Sequence, residues 1–454
     1  MGKATTTAPL PILLIIASFL CPTELSLYVA GLRLPPHRVA LILLLPIALA
    51  QLLTKGDRRI RLFDILFITY GLWTIGAYTS HTGKDGFVYG GSLALEALGG
   101  YLVARAFVRT GEQLRATMRA FVAAIVVAAL FALPETLLGQ IFTHDLLRQI
   151  TGYHHPIGVE SRLGLTRAYG TFDHPIHYGT FCAALLALFW YAERRAVTRR
   201  INAALMTGAT FLGISSAPML CLGLQGGMLL WDRVTRRIKS RMTITLAALA
   251  GLYIGMSMFS NRSPIAFIAT GMTLDPWTGF YRLQIWEAGM GNVWANPWLG
   301  IGLGDWERPW WMISDTVDAF WLVTAMRQGI PAFLLLALAI IVMARAVMLR
   351  RHRHVEPDAA RAAIGWMMTV IALSLIGATV HYWNVLHAFF FFVLGLGGWI
   401  ADPARSVAAS FAVRRNDTST ARDRRQGDRK PTAGSGRPYP IGGTALAVHG
   451  RPYR

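Results

Sequence analysis

Residues Ile330-Pro331-Ala332-Phe333-Leu334-Leu335-Leu336-Ala337-Leu338-Ala339-Ile340-Ile341-Val342-Met343-Ala344 run without a single charge, and Arg345, Arg350, Arg351 and Arg353 follow them. A helix of about 20 apolar residues is long enough to cross the hydrocarbon core of a bilayer. A basic flank marks the end that stays in the cytoplasm. Working outward, apolar windows recur at about 10–30, 36–54, 62–79, 87–104, 120–139, 174–192, 202–216, 217–231, 242–260, 330–349, 361–380 and 382–400, about twelve expected spans in all. The stretch 202–231 reads as two short spans hinged at Ser215-Ser216-Ala217-Pro218, because proline interrupts a helix there. The first window has no small-residue cleavage pattern at Ser18-Phe19-Leu20-Cys21 and reads as a span, not a leader.

The composition agrees with this reading. Of 454 residues, 54% are hydrophobic and 15% charged, and the mean hydropathy is +0.42. Soluble domains carry roughly 25% charged residues. A soluble enzyme, a disordered scaffold and a secreted disulfide module are therefore excluded, and the expected fold is all-α, a polytopic transmembrane helix bundle. Cys21, Cys182 and Cys221 all lie in apolar runs, so packing is their expected role and no disulfide or metal framework follows.

The net charge of +20 is concentrated in short segments. Basic residues cluster in 55–61 (Lys55, Arg58, Arg59, Arg61), 105–119 (Arg105, Arg109, Arg115, Arg119), 193–200 (Arg194, Arg195, Arg199, Arg200), 232–241 (Arg233, Arg236, Arg237, Lys239, Arg241) and 345–353. With twelve spans all five segments fall on one side, which puts both termini in the cytoplasm. Charge placed at span ends points to the lipid bilayer as partner and not to nucleic acid. Residues 402–454 hold 11 Lys and Arg against 4 Asp and Glu with no apolar period, and are expected to form a disordered tail resting on anionic headgroups. The expected organisation is N-terminal spans over 1–139, an external segment 140–173, central spans 174–260, a large external loop 261–329 with a re-entrant end, C-terminal spans 330–401 and the tail.

Long ordered loops usually carry function. Eight of the 14 tryptophans lie in 261–329, a density that suits either a membrane interface or a saccharide cleft. Glu96 is the one carboxylate well inside a span, and burying it calls for a partner or a wet cavity. Three motifs stand out. Arg167-Ala168-Tyr169-Gly170-Thr171-Phe172-Asp173-His174-Pro175-Ile176-His177 leads into a span, with Asp173 as expected cap and Pro175 in the first turn. A helix N-terminus beside Arg167 suits a bound phosphate. Gly279-Phe280-Tyr281-Arg282-Leu283-Gln284-Ile285-Trp286 is followed by Asn296-Pro297-Trp298-Leu299-Gly300-Ile301-Gly302-Leu303-Gly304. Arg282, Ile285, Trp286 and Met290 share one helical face, and the glycine run is a turn, since no strand or nucleotide-binding lysine accompanies it. Asp315-Thr316-Val317-Asp318 precedes a short apolar helix interrupted by Arg327 and ended by Gly329 and Pro331. Asp318 is either a helix cap or a chemical group. Five of the 12 histidines, His144, His154, His155, His174 and His177, crowd into 144–177, but no further ligands complete a metal site.

In order, spacing and side, these motifs resemble the O-antigen ligase and O-antigen polymerase superfamily over about 160–335. The resemblance implies a C-type glycosyltransferase that takes a glycan from an undecaprenyl pyrophosphate carrier at the periplasmic face of the bacterial inner membrane, without a metal or other cofactor. It implies that Arg167 and Arg282 grip the pyrophosphate. Arg327, Trp286 and His177 are further candidate substrate-binding residues. Ligases carry a His-Asn pair at the start of the terminal motif; this chain has Val317-Asp318. That departure favours a polysaccharide polymerase, with Asp318 the first and His174 the second candidate base. A ligase acting on lipid A core and a lipid-linked saccharide flippase are the alternatives. A chain-length regulator and a flippase are the implied protein partners.

Overall fold

The computed structural model describes residues 7–29, 31–54, 60–153, 158–238, 276–312, 314–351 and 357–402. In chain order the helices are α1 (Leu10–Leu20), α2 (Pro36–Thr54), α3 (Leu62–Thr82), α4 (Lys84–Phe107), α5 (Gly111–Leu138), α6 (Phe142–Thr151), α7 (Pro175–Ala184), α8 (Leu186–Ala192), α9 (Ala196–Leu212), α10 (Ser216–Thr235), α11 (Pro276–Ala295), α12 (Phe320–Gln328), α13 (Ile330–Arg351), α14 (Pro357–Ile376), α15 (Val385–Leu396) and α16 (Gly398–Ala401). Two antiparallel hairpins, β1 (Leu27–Val29) with β2 (Leu32–Leu34) and β3 (Ser161–Arg162) with β4 (Leu165–Thr166), complete the described elements.

Among the described residues seven segments are long and apolar enough to cross a membrane: α2, α3, α4, α5, Pro175–Ala192, α13 and α14. The fold is thus an all-α bundle with membrane-spanning helices. Two further expected spans are apolar but shorter, α1 and Val385–Ala401. The first window ends at Leu20 because Pro22 supplies no N–H to continue the helix, and the chain turns into the β1–β2 hairpin instead. The hinge expected at Ser215–Pro218 separates α9 from α10, neither of which combines span length with span hydropathy. The window 242–260, the first part of the external loop (261–275), Lys55, Arg58, Arg59, His154, His155, Lys239, Arg241, Arg353 and the tail beyond Asp402 lie outside the described residues.

At the centre α4 and α15 meet backbone to backbone. A Cβ on Gly100 would lie 2.3 Å from the Ala388 carbonyl oxygen, and one on Gly395 would lie 2.3 Å from that of Tyr101. Small residues at both sides of a crossing are what allow such an approach. Phe389, Phe391 and Phe392 of α15 then pack edge-on against Phe19, Phe67 and Phe121 of the surrounding helices.

The buried charges are compensated where they lie. Glu96, fully buried, accepts from Arg38 Nε at 2.7 Å and sits 3.1 Å from His37 Nε2 and 3.2 Å from His387 Nδ1. It ties α2, α4 and α15 together, so the partner reading of this carboxylate is the correct one. Arg105 bridges Asp64 (3.1 Å) and Asp402 (2.6 Å), with Arg61 3.8 Å from Asp402. Asp358 gathers Arg115, Arg194 and Arg361, and Arg119 pairs with Glu193. Arg61 and the basic segments 105–119 and 193–200 therefore meet at one end of the bundle.

Gly395→Ala must push α4 and α15 apart, and overpacking of this kind costs about 1–3 kcal/mol. Gly223, with no atom within 4 Å of its would-be Cβ, is the control. Thermal unfolding in detergent is expected to show a lowered midpoint for Gly395→Ala and none for Gly223→Ala.

Candidate functional site

Helices α9 and α10 and the Pro175–Ala192 segment each have one end at the ion-paired face and the other at a cavity of about 650 Å³. Arg167, His174, His177, Arg282, Asp318 and Arg327 all line it. These residues come from the three separated motifs, and the fold brings them to one place. Trp286 is not among the lining residues. Its indole Nε1 donates to Ala378 O at 2.8 Å, which anchors α11 to the 377–384 connection one turn after Arg282. The shared face of Arg282, Ile285, Trp286 and Met290 is real, but Trp286 positions Arg282 and does not line the cavity.

Arg167 is held by its own backbone surroundings. Its N–H donates to Glu160 O (2.9 Å), and the next N–H, of Ala168, donates to Leu212 O (3.1 Å). The Glu135 carboxylate accepts from the N–H groups of Tyr169 (3.0 Å) and Gly170 (2.8 Å), and Gly170 takes φ +59° to make the turn. The guanidinium then donates to Ser215 Oγ at 2.7 Å and pairs with Glu160, while its Nε is buried without a partner. Ser215 follows Ile214, whose φ of +38° is strained for a β-branched residue. That strain sets Ser215 between Arg167 and Gly213 O.

Arg282 is buried, and its guanidinium donates no hydrogen bond to another described residue; its Nε is a buried donor without a partner. Burial lowers the pKa of both arginines, with Asp318 opposing at Arg282 and Glu160 opposing at Arg167. Both stay protonated near neutrality, since the guanidinium starts above 12. Asp318 is half-buried, and burial raises its pKa against the charge of Arg282. It is not a helix cap. The N-cap of α12 is Ala319, and the first helical N–H groups are taken by other carbonyls, Phe320 N to Val380 O (3.0 Å) and Trp321 N to Gly377 O (3.4 Å). Asp173 is not the cap of α7 either. Its carboxylate accepts from Thr23 Oγ1 (2.5 Å) and Asn384 Nδ2 (2.9 Å), and His174 caps instead, with Nδ1 accepting from Ile176 N at 3.1 Å. That bond leaves the neutral ring's proton on Nε2.

Arg327 sits at the end of α12, where the glycine run is laced to it. Ile301 N donates to Met326 O (2.9 Å), Gly302 N to Arg327 O (3.0 Å), and Arg327 Nη1 donates to Gly302 O (2.9 Å). Gly300 and Gly302 adopt φ +66° and +57°, so positive φ is what this turn needs. His177 lies 4.5 Å ring to ring from Trp383, and its Nε2 is 3.2 Å from His381 O. Burial pushes His381 down to about 3, which keeps it neutral.

The eight loop tryptophans do not gather at this cavity. None lines the cavity; Trp277, Trp294, Trp298 and Trp310 are exposed, and Trp306 is a core residue. Trp383, outside that loop, is the one tryptophan of the lining. Glu160, Arg162, Ser215, Tyr89 and His381 also line it and were not singled out from sequence. Only Ser215 carried a signal, its place in the hinge. The N-termini of α7 and α10 both open into the cavity through His174, Ile176, Ser215 and Ser216. Two helix starts and four arginines, Arg162, Arg167, Arg282 and Arg327, give this cavity the chemistry to suit a polyanion.

Comparison of the chain with protein-family models gave no match, and neither did comparison with curated proteins.

Gly300→Ala would put Cβ 2.4 Å from the Arg327 carbonyl carbon at a positive φ, whereas at Gly304 the nearest atom, Ile301 O, is 3.1 Å away. The first substitution is expected to lower the unfolding midpoint by the equivalent of about 2 kcal/mol or more, combining αL strain and overpacking. Gly304→Ala is expected to change it far less.

Proposed function

We propose that this protein polymerises undecaprenyl-pyrophosphate-linked oligosaccharide repeat units into a surface polysaccharide, as an inverting glycosyltransferase of the periplasmic face of the bacterial inner membrane. The observation that carries the reading is the pair Arg167 and Arg282. Both are buried, both have an Nε without a partner, and both line one cavity with a carboxylate, Asp318. Guanidinium groups without enough counter-charge are what a diphosphate would complete.

The chemistry runs as a displacement at the sugar's anomeric carbon. The acceptor hydroxyl oxygen forms a bond to that carbon while the bond from carbon to phosphate oxygen breaks. The hydroxyl proton passes to Asp318, and the electron pair leaves with the diphosphate. Arg167 and Arg282 stabilise the charge that collects on the departing phosphate oxygens, assisted by the starts of α7 and α10. Asp318 suits the base, because burial raises its proton affinity and no other described side chain occupies its oxygens. His174 suits a donor to phosphate, because its Nδ1 is taken by Ile176 N–H. Attack opposite the leaving group inverts the configuration. The ligase reading has less support, since Val317 stands at the cavity wall where ligases carry a histidine, and its side chain has no group to take a proton. The apolar helices supply the bilayer setting that a lipid-linked donor requires.

Arg167→Ala and Arg282→Ala are each expected to reduce polymer formation by about 10²–10³-fold, by analogy with loss of one oxyanion donor, with protein abundance unchanged. Sizing of surface polysaccharide after gene deletion reads the reaction class. Single repeat units on a normal anchor are expected; full-length chains stranded on the carrier would replace polymerase with ligase.

The pH dependence follows from Asp318. A base must be ionised, and its raised pKa means the ionised fraction falls at a higher pH than for an ordinary carboxylate near 3.9. Turnover of purified protein is therefore expected to decline on acidification above the usual carboxylate range. Asp318→Asn should remove both that limb and most of the rate, and a fully active Asp318→Asn would exclude Asp318 as base.

A further inference from the structure

At the bundle end opposite the cavity, a second hollow of about 610 Å³ lies between α8, α9, α10 and α14. Its lining holds Arg199, Arg200, Arg233, Arg236 and Arg361 against one carboxylate, Asp232. That carboxylate is already engaged by Tyr191 Oη at 2.5 Å. Arg199, Arg200, Arg233 and Arg236 form no ion pair within the described residues, unlike Arg115, Arg194 and Arg361, which share Asp358 nearby. Arg199 is stacked over the Trp190 ring at 4.6 Å, and its Nε is buried without a partner; the Arg361 Nε is likewise an orphan. Stacking orders the Arg199 guanidinium before any ligand arrives. Crowded like charges repel one another until an anion joins them.

The floor of the hollow is apolar, made by Leu229 and the exposed Leu230 of α10. A cationic rim above apolar helix surface is the profile of an acidic lipid, charged at one end and hydrocarbon at the other. We propose that this hollow binds the phosphate headgroup of an acidic glycerophospholipid, with its acyl chains lying over Leu229 and Leu230. The site is separate from the glycosyl-transfer cavity: along α10 the cavity ends at Ala217 and the hollow begins at Gly226, with Arg233 about 24 Å from Ala217.

The test measures binding, not turnover, so it stands or falls independently of the proposed reaction. Full-length protein in neutral detergent is titrated with short-chain phosphatidylglycerol, short-chain phosphatidylcholine and inorganic phosphate, and bound ligand is counted by native mass spectrometry. Saturable binding of phosphatidylglycerol, with phosphatidylcholine and phosphate far weaker, is expected. The double variant R199Q/R233Q is expected to bind phosphatidylglycerol roughly 30-fold more weakly, from about fivefold per basic residue. R199K/R233K keeps the charges and should retain most of the binding. Equal affinity for phosphatidylcholine, undiminished binding in R199Q/R233Q, or equal loss in the lysine and glutamine pairs would overturn the proposal. Phosphate binding as tightly as phosphatidylglycerol would overturn the lipid assignment.

Discussion

A charge buried among apolar helices has to be answered by another charge or by hydrogen bonds at the same spot, because removing one partner of such a group costs about 3–5 kcal/mol. That constraint organises this molecule. Glu96 is answered by Arg38 and two histidines, and by being answered it fastens α2, α4 and α15. Asp64, Arg105 and Asp402 answer one another across α3, α4 and the end of α16. Where the rule is kept, the residues hold the bundle together. Where it is left incomplete, at Arg167 and Arg282 at one end and around Arg199 at the other, the protein has cations to offer a ligand.

Much of the bundle was legible because helices in an apolar solvent advertise themselves by length and hydropathy. The windows at 36–54, 62–79, 87–104, 330–349 and 361–380 correspond closely to α2, α3, α4, α13 and α14. The break at Ser215–Pro218 was legible from proline alone. The first window misled because hydropathy continues past Pro22 while the helix cannot. Six of the seven named site residues line one cavity. Arg167, Asp318 and Arg327 stood out by charge in unusual places, Arg282 by its motif and the two histidines by crowding, all of them local properties. What was not legible is what depends on contacts between distant segments. Caps are an example: Asp173 and Asp318 look like caps in sequence, yet Asn384 with Thr23 claims the first, and carbonyls of 377–380 relieve the helix that the second precedes. The tryptophan cluster misled for the same reason, since composition cannot say which way an indole faces.

The site is shaped by what surrounds it as much as by its lining. Glu135 holds the turn that carries Arg167, and Trp286 holds the helix that carries Arg282. Ile214 and Asn384 both sit at positive φ; Ile214 precedes Ser215, which accepts from Arg167, and Asn384 donates to Asp173, next to the lining residue His174. Strain of that kind costs on the order of 1–3 kcal/mol per residue and persists only where neighbours over-determine it. Its concentration here marks the segments that must not relax.

Glu160 stands on the β3–β4 hairpin with its carboxylate against Arg167 and about half of its side chain in the open. Any anion that comes to Arg167 meets an incumbent. A singly charged visitor would exchange one carboxylate-strength contact for another and gain almost nothing. A group bearing several negative oxygens gains at Arg167 and at Arg282 together, enough to evict the resident. On the proposed function, the hairpin carboxylate thereby acts as a valence filter, setting a higher threshold for singly charged anions than for a diphosphate.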